Sequence, residues 1–303
     1  MSNRTKDSSQ PLGPAPTRLR QIALVARDLE KARHLLTTTI GTEVIYEDPA
    51  VEQWGLKNIL VPIGGDIIEV VSPTLPTAPA TRHLEKLNAD AGGYMIIMQT
   101  HMPSALTRLE HITIRNLARP IFTHSSSDSD LVQYHPKGIP GGMMPELDSH
   151  RPDRAHPDPL YERCSPWHAA GPKERYGLYR EGMKRCGDLR LVNVVLRLRA
   201  GDGDVEGAAK KWEEIFGVAR GKRSDELGFT NAKLRFCKGE KGRNEGLVEV
   251  GIAVEGMERR DGILKRAEWE GLKIQGGVLE MLGIRWRFTI YDGRQEVEEK
   301  SNL

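Results

Sequence analysis

Apolar and polar positions along the chain fall into two alternating rhythms. From Gln21 an apolar run, QIALVARD, reads as a strand. It passes into LEKARHLLTTTIG, where Leu29, Ala32, Leu35 and Leu36 recur at helical spacing and Gly41 supplies a helix stop. The same order returns at Asn193, as NVVLRLRA then DVEGAAKKWEEIFG, and at Glu249, as EVGIAVEG then MERRDGILKRAEWEG. A less regular copy starts at Met95 with MIIMQT and continues into PSALTRLEHITIRNL. An internal repeat decides an architecture before any motif does. Four strand-helix units are therefore predicted.

Further strands are expected after the helices. The first unit offers TEVIYE, NILVPIGG and DIIEVVSP, the last two joined across Gly64-Gly65-Asp66, a hairpin composition. The others offer PIFTH, DLVQYHPKG and GGMMPELD, then FTNAKLRFCKG, then GIRWRFTIYDG. Each unit thus reads as a βαβββ module, which predicts an α+β protein in two lobes. Between Asp148 and Asp188 lies a proline-rich stretch with little periodicity, too long for an idle connection. The expected order is a disordered tail over 1–17, a first lobe over 18–150, a linker or covering loop over 151–188, and a second, degenerate lobe over 189–295.

Length and composition narrow the function classes. At 303 residues the chain is about twice the usual domain size, consistent with two lobes. Its 44 Lys and Arg nearly cancel 42 Asp and Glu, so nucleic acid is not an expected partner. Its apolar runs are strand-sized, which argues against a membrane span. Cys164, Cys186 and Cys237 form no CxxC pair, and the first 17 residues lack the apolar core of a signal peptide. Both point to the cytoplasm. A monomer or homodimer with a small-molecule ligand is the expected form.

The modules resemble the vicinal oxygen chelate superfamily, which includes glyoxalase I, methylmalonyl-CoA epimerase, extradiol dioxygenases and drug-sequestering proteins. The resemblance is clearest over Leu19 to Asp148. There Gly55, Asn58, Leu60, Val61, Pro62 and Gly64 are similar to a run in a glyoxalase-like subgroup. It implies paired modules curled around a cup, with a divalent ion held on their first and last strands. The implied ligands are Gln21, Glu69 and Glu146, oxygen donors suited to Mg or Mn and acceptable to Zn, Ni or Fe. The fourth site falls on Met95, or on Tyr94 with a shift of one, and a thioether suits a hard cation poorly, so the set is incomplete. In the second lobe the matching positions are Asn193, Arg235, Glu249 and Arg287, which implies a metal-free duplicate.

Each candidate also has a plainer reading. Glu69 sits among Ile67, Ile68, Val70 and Val71, and Glu146 follows Met143, Met144 and Pro145. Either is a ligand or general base on an inner face, or a side chain that period two turns to solvent. Gln21 is a ligand or a loop cap. Asn58, Trp54, Tyr94 and Met95 are candidate pocket walls, and His135 either contacts substrate or sets a turn. His150, His156 and His168 fit no zinc spacing and read as exposed loop histidines. GIPGG and AGDGDVEG lack the context of a phosphate loop, so no nucleotide cofactor is expected. GEKGRNEG reads as a hairpin turn and EVEEK as a solvated tail. The leading expectation is a glyoxalase-like isomerase, epimerase or lyase acting on a small carbonyl compound, with Glu146 as base. The alternative is a protein that sequesters a small ligand without catalysis. An extradiol dioxygenase, needing two His and a carboxylate on Fe(II), is the third.

Overall fold

The computed structural model describes residues 12–292. The EVEEK tail, residues 293–295 of the expected second lobe and the first eleven of the expected N-terminal tail lie outside them. The first lobe runs β1 (Thr17–Ala26), α1 (Leu29–His34), β2 (Leu56–Ile63), β3 (Asp66–Pro73), α2 (Pro79–Leu87), β4 (Ala91–Thr100), α3 (Ala105–Ile114), β5 (Pro120–Ser125), β6 (Ser129–Tyr134) and β7 (Met144–His150). After α4 (Tyr176–Arg185) the second lobe begins with β8 (Leu189–Arg197), α5 (Val205–Phe216), β9 (Ala219–Arg220), β10 (Glu226–Gly228) and β11 (Lys233–Cys237). It ends with β12 (Gly246–Glu255), α6 (Met257–Trp269), β13 (Ile274–Gln275), β14 (Val278–Met281) and β15 (Ile284–Tyr291).

Strand pairing makes the repeat explicit. The seven-stranded sheet has the order β2-β3-β1-β4-β7-β6-β5, and the eight-stranded one β13-β14-β15-β12-β8-β11-β10-β9. In each, the opening strands of two modules run antiparallel at the centre, β1 with β4 and β8 with β12. Each opening strand pairs in parallel with the last strand of its own module: β3 with β1, β7 with β4, β11 with β8, β15 with β12. The fold is α+β, two mixed sheets of paired βαβββ modules.

Local chemistry explains most elements. Asp28 caps α1 by accepting from the Lys31 amide at 2.9 Å. The helix widens into a π-helical turn over Leu35–Ile40 and stops at Gly41, whose φ of 78° suits glycine. Leu29, Ala32, Leu36 and Ile40 then join a core that also holds Leu196, Trp212, Val250 and Trp286, so the two lobes share one apolar interior.

Four expectations change. TEVIYE forms only an isolated bridge, Tyr46 to Leu60, because Pro49 to Trp54 winds into a 3-10 turn beside it. GEKGRNEG is no hairpin: β11 and β12 are not neighbours, and the loop crosses between modules. Helices α2 and α4 fall in stretches where no helix was expected. Residues 12–17 are held, not loose. Arg108 donates to the Leu12 and Gly13 carbonyls at 3.0 and 3.1 Å, and Ala15 N donates to Gly217 O at 2.9 Å. No helix among the described residues is long and apolar enough to cross a membrane.

Candidate functional site

One face of the first-lobe sheet carries polar side chains. Strand β1 sends Leu19, Ile22 and Leu24 to the shared core and Ala23 to the opposite face. A bulge between Leu19 and Gln21 breaks the alternation, so that Arg20 and Gln21 both reach partners on that opposite face. Period two along β7 places Glu146, Asp148 and His150 on this face too, while Leu147 joins the core. All three are buried.

The carboxylates are held by amides. Glu69 accepts from Gln21 Nε2 at 2.9 Å and from Asn58 Nδ2 at 2.6 Å, and Asn58 Oδ1 in turn accepts from the Asp48 amide at 2.8 Å. Glu146 accepts from Gln133 Nε2 at 2.7 Å. Among the described residues no Lys or Arg pairs with Glu69, Glu146 or Asp148. Burial therefore dominates their titration. It raises Glu69, against the pull of its two amide donors. Burial, with the nearby charge of Glu69, pushes Glu146 up to about 7. Burial and Glu146 together raise Asp148 well above the usual carboxylate range. Among the described residues neither Asp148 oxygen has an N–H donor. Asp148 and Glu146 can hydrogen-bond each other only through a shared proton, and that is how the pair is best described.

The proline-rich segment closes over this face. Arg18, ion-paired with Asp66 at 2.8 Å, donates to the carbonyls of Glu162 and Arg163. Arg20 donates to Ser165 O at 2.7 Å and lies 5.2 Å from the Trp167 ring, while Gln99 donates to Pro159 O. Trp167 is fully buried, and its Nε1 donates to Gln21 Oε1 at 2.7 Å. With Tyr179 and Met183 it packs on Ala23, Ile67, Met95 and Ile97, filling the cup. A cavity of about 470 Å³ lies elsewhere, between the lobes, bordered by His83, Gly93, Arg197 and Leu247.

Of the proposed pocket walls, Asn58 belongs to the carboxylate network and Met95 lies beneath Trp167. Tyr94 packs edge-on against His83, with ring centres 5.2 Å apart. Trp54 is 41% exposed and meets Phe122 of the edge strand β5. His135 sits in a turn, its Nδ1 accepting from the Lys137 amide. In the second lobe Glu249 is clamped by Arg287 at 2.7 Å and Arg285 at 3.3 Å.

The reading of His150 and His168 as exposed loop residues is corrected. His150 is buried in β7, and its ring stacks on Trp167 at 4.9 Å. His168 Nδ1 lies 3.2 Å from His150 Nε2 and 3.6 Å from Asp148 Oδ2. Burial holds His150 well below the usual histidine range and His168 down to about 4. Among the described residues, Asp148, His150 and His168 bring ligand atoms within 4.8 Å of one another and could hold an ion. The positions implied by the resemblance do not fit one as they stand. Gln21 turns its carbonyl to Trp167 and its amide to Glu69, and Met95 offers a thioether.

No protein-family model matches the sequence, and no curated protein does. Solved structures overlap it in part. The methylmalonyl-CoA epimerase of Streptomyces coelicolor, in complex with 2-nitronate-propionyl-CoA, is 20% identical, with a TM-score of 0.39, over 45% of this chain and 98% of that one. The Mycobacterium tuberculosis methylmalonyl-CoA epimerase is 17% identical, with a TM-score of 0.40, over 49% of this chain and 97% of that one. A hypothetical protein from Bacillus halodurans is 15% identical, with a TM-score of 0.39, over 45% and 96%. Independently of these, the strand order shows four parallel first-to-last pairings inside βαβββ modules, the paired-module architecture that the sequence resemblance implied.

Proposed function

We propose that the first lobe is a glyoxalase-like acid–base site, an isomerase, epimerase or lyase in type, acting on a small carbonyl-containing molecule. The observation that carries this reading is the row of buried carboxyl groups on one face, Glu69 and Glu146 with amide donors and Asp148 beside them, with no cationic partner among the described residues. Burying charge without a partner costs several kcal/mol, so folding alone gives no reason to keep it. Glu146 takes the proton from the carbon beside the substrate carbonyl, and the enolate takes it back at the same or the neighbouring carbon. Asp148 shares the proton with Glu146, while Gln21 and Asn58 fix Glu69. Substrate enters when Trp167 leaves the cup, since Trp167, Tyr179 and Met183 occupy that space in the closed form.

The test is solvent exchange. A panel of small 2-oxo and 2-hydroxy carbonyl compounds is incubated with the protein in D2O and followed by proton NMR. Deuterium should enter beside the carbonyl of at least one compound, and Glu146→Gln should slow that exchange by about 10²- to 10⁴-fold. Equal exchange by the variant refutes the assignment of the base. Saturable binding of a compound without exchange supports a sequestering protein instead.

A further inference from the structure

Among the described residues, Asp148, His150 and His168 form the one group of three His, Cys or carboxylate side chains with ligand atoms mutually within 4.8 Å. Asp148 is fully buried and, among the described residues, has no N–H donor to either oxygen, although buried polar atoms are nearly always satisfied. His150 stands two residues further along the same face of β7. His168 comes from the covering segment, 18 positions later in sequence. The two nitrogens approach at 3.2 Å, and His168 Nδ1 lies 3.6 Å from Asp148 Oδ2. An ion with ligands at about 2.0–2.2 Å in tetrahedral array holds its donor atoms roughly 3.4 Å apart. These two separations straddle that value, and the third pair of ligand atoms lies within 4.8 Å.

We propose that Asp148, His150 and His168 bind one divalent first-row transition ion, and that the ion fastens the covering segment to β7. Two imidazoles and one carboxylate form a mixed nitrogen and oxygen set. It favours an ion of the zinc or iron(II) kind over Mg or Ca, which prefer oxygen alone. Three protein ligands leave at least one coordination position for water or a small ligand. The site takes none of Gln21, Glu69, Met95 and Glu146 as a ligand, and Asp148 gives up the proton it shares with Glu146 when the ion binds. It needs the cover in place, because only the cover brings His168. Stacking of His150 on Trp167, itself hydrogen-bonded to Gln21, fixes the imidazole plane and supports the ligand from behind.

Cobalt(II) is the probe, since it substitutes for zinc and colours its site. The full chain, stripped with chelator, is titrated with Co(II) and read by visible d–d absorption, by elemental analysis after desalting, and by protease cleavage within 151–188. One tightly held equivalent is expected, with slower cleavage of the segment when it is bound. His168→Ala should weaken binding by more than the 10- to 100-fold that losing a supporting partner costs. His168 is partly exposed, so this variant is expected to fold even if Asp148→Asn does not. His156→Ala is the control. His156 lies in the same segment, bonded to Glu162 at 2.7 Å, and its loss should leave binding unchanged. Failure of the wild-type chain to retain an equivalent at micromolar Co(II) overturns the proposal. So does retention by His168→Ala, or equal loss in His156→Ala. None of these readouts depends on catalysis, so the fate of the acid–base proposal is decided separately.

Discussion

Truncating Trp167 to Ala should unseat the cover while leaving both sheets folded. The indole is fully buried, and an aromatic of its kind removes about 150–250 Å² from water. At about 25 cal/mol per Å² that is roughly 4–6 kcal/mol as an upper bound, and Trp-to-Ala changes in cores cost about 3–5 kcal/mol. The loss falls on the equilibrium between closed and open cover, because the partners of Trp167 are the cup floor and α4. With tenfold per 1.4 kcal/mol, the open fraction should rise by about two to three and a half orders of magnitude. Native-state hydrogen exchange at the Ala170 amide, which donates to Trp167 O, and protease nicking within 151–188 both report it. Trp167→Phe isolates the polar part. It keeps a ring in place but strands Gln21 Oε1, for about 1–3 kcal/mol. If Trp167→Ala changes the opening free energy by under about 1 kcal/mol, the indole does not hold the cover and the closed cup described above is wrong.

Four other outcomes follow from the same geometry. Because folding raises Glu146 to about 7, the folded chain holds a proton that the unfolded one releases, so this group's contribution to stability falls as pH climbs from about 4.5 to 7. Glu146→Gln should flatten that decline in urea midpoints measured from pH 5 to 8, and an unchanged slope refutes the raised pKa. The lowered His168 acts with the opposite sign between about 6.5 and 4, where the unfolded chain binds the extra proton, and His168→Asn should remove that acid-side loss. Arg18→Ala breaks a buried ion pair with Asp66 and two bonds to the cover, and should cost about 3–5 kcal/mol by urea denaturation. Arg287→Met leaves Glu249 with Arg285 alone; as Arg287 is half exposed, about 1–2 kcal/mol is expected in the same assay.

The sheets were largely legible because burial imposes its period on the sequence. Strands that face a shared core read as apolar runs, as in Ile59 to Ile63 and Ile67 to Val71, and helices such as Val205–Phe216 kept their 3.6-residue pattern. Helix α4 was hidden, since its buried residues Tyr179, Gly182 and Met183 are few and are diluted by Arg and Lys. The polar site was half legible. Glu69 and Glu146 stood out as charges within apolar runs, but Glu69 bonds to Asn58 and Gln21, 11 and 48 positions away, and Glu146 to Gln133, 13 positions away. Asp148 and His150 could have been found by continuing period two from Glu146 along β7. His168 could not, because only the path of the covering segment brings it near.

That segment can also be viewed as a ligand carried on the protein's own chain. Trp167, Tyr179 and Met183 occupy the cup as a bound molecule would, at the effective concentration that a short tether sets, typically millimolar. Any outside molecule competes with it, and its apparent affinity is its intrinsic affinity reduced by the open fraction. If closure is favoured by about 3 kcal/mol, a compound that fits the bare cup with micromolar affinity binds the intact chain only at about 10² times that concentration. Compounds that look inert against the wild-type chain should therefore be screened again on Trp167→Ala, where the internal competitor has lost its anchor.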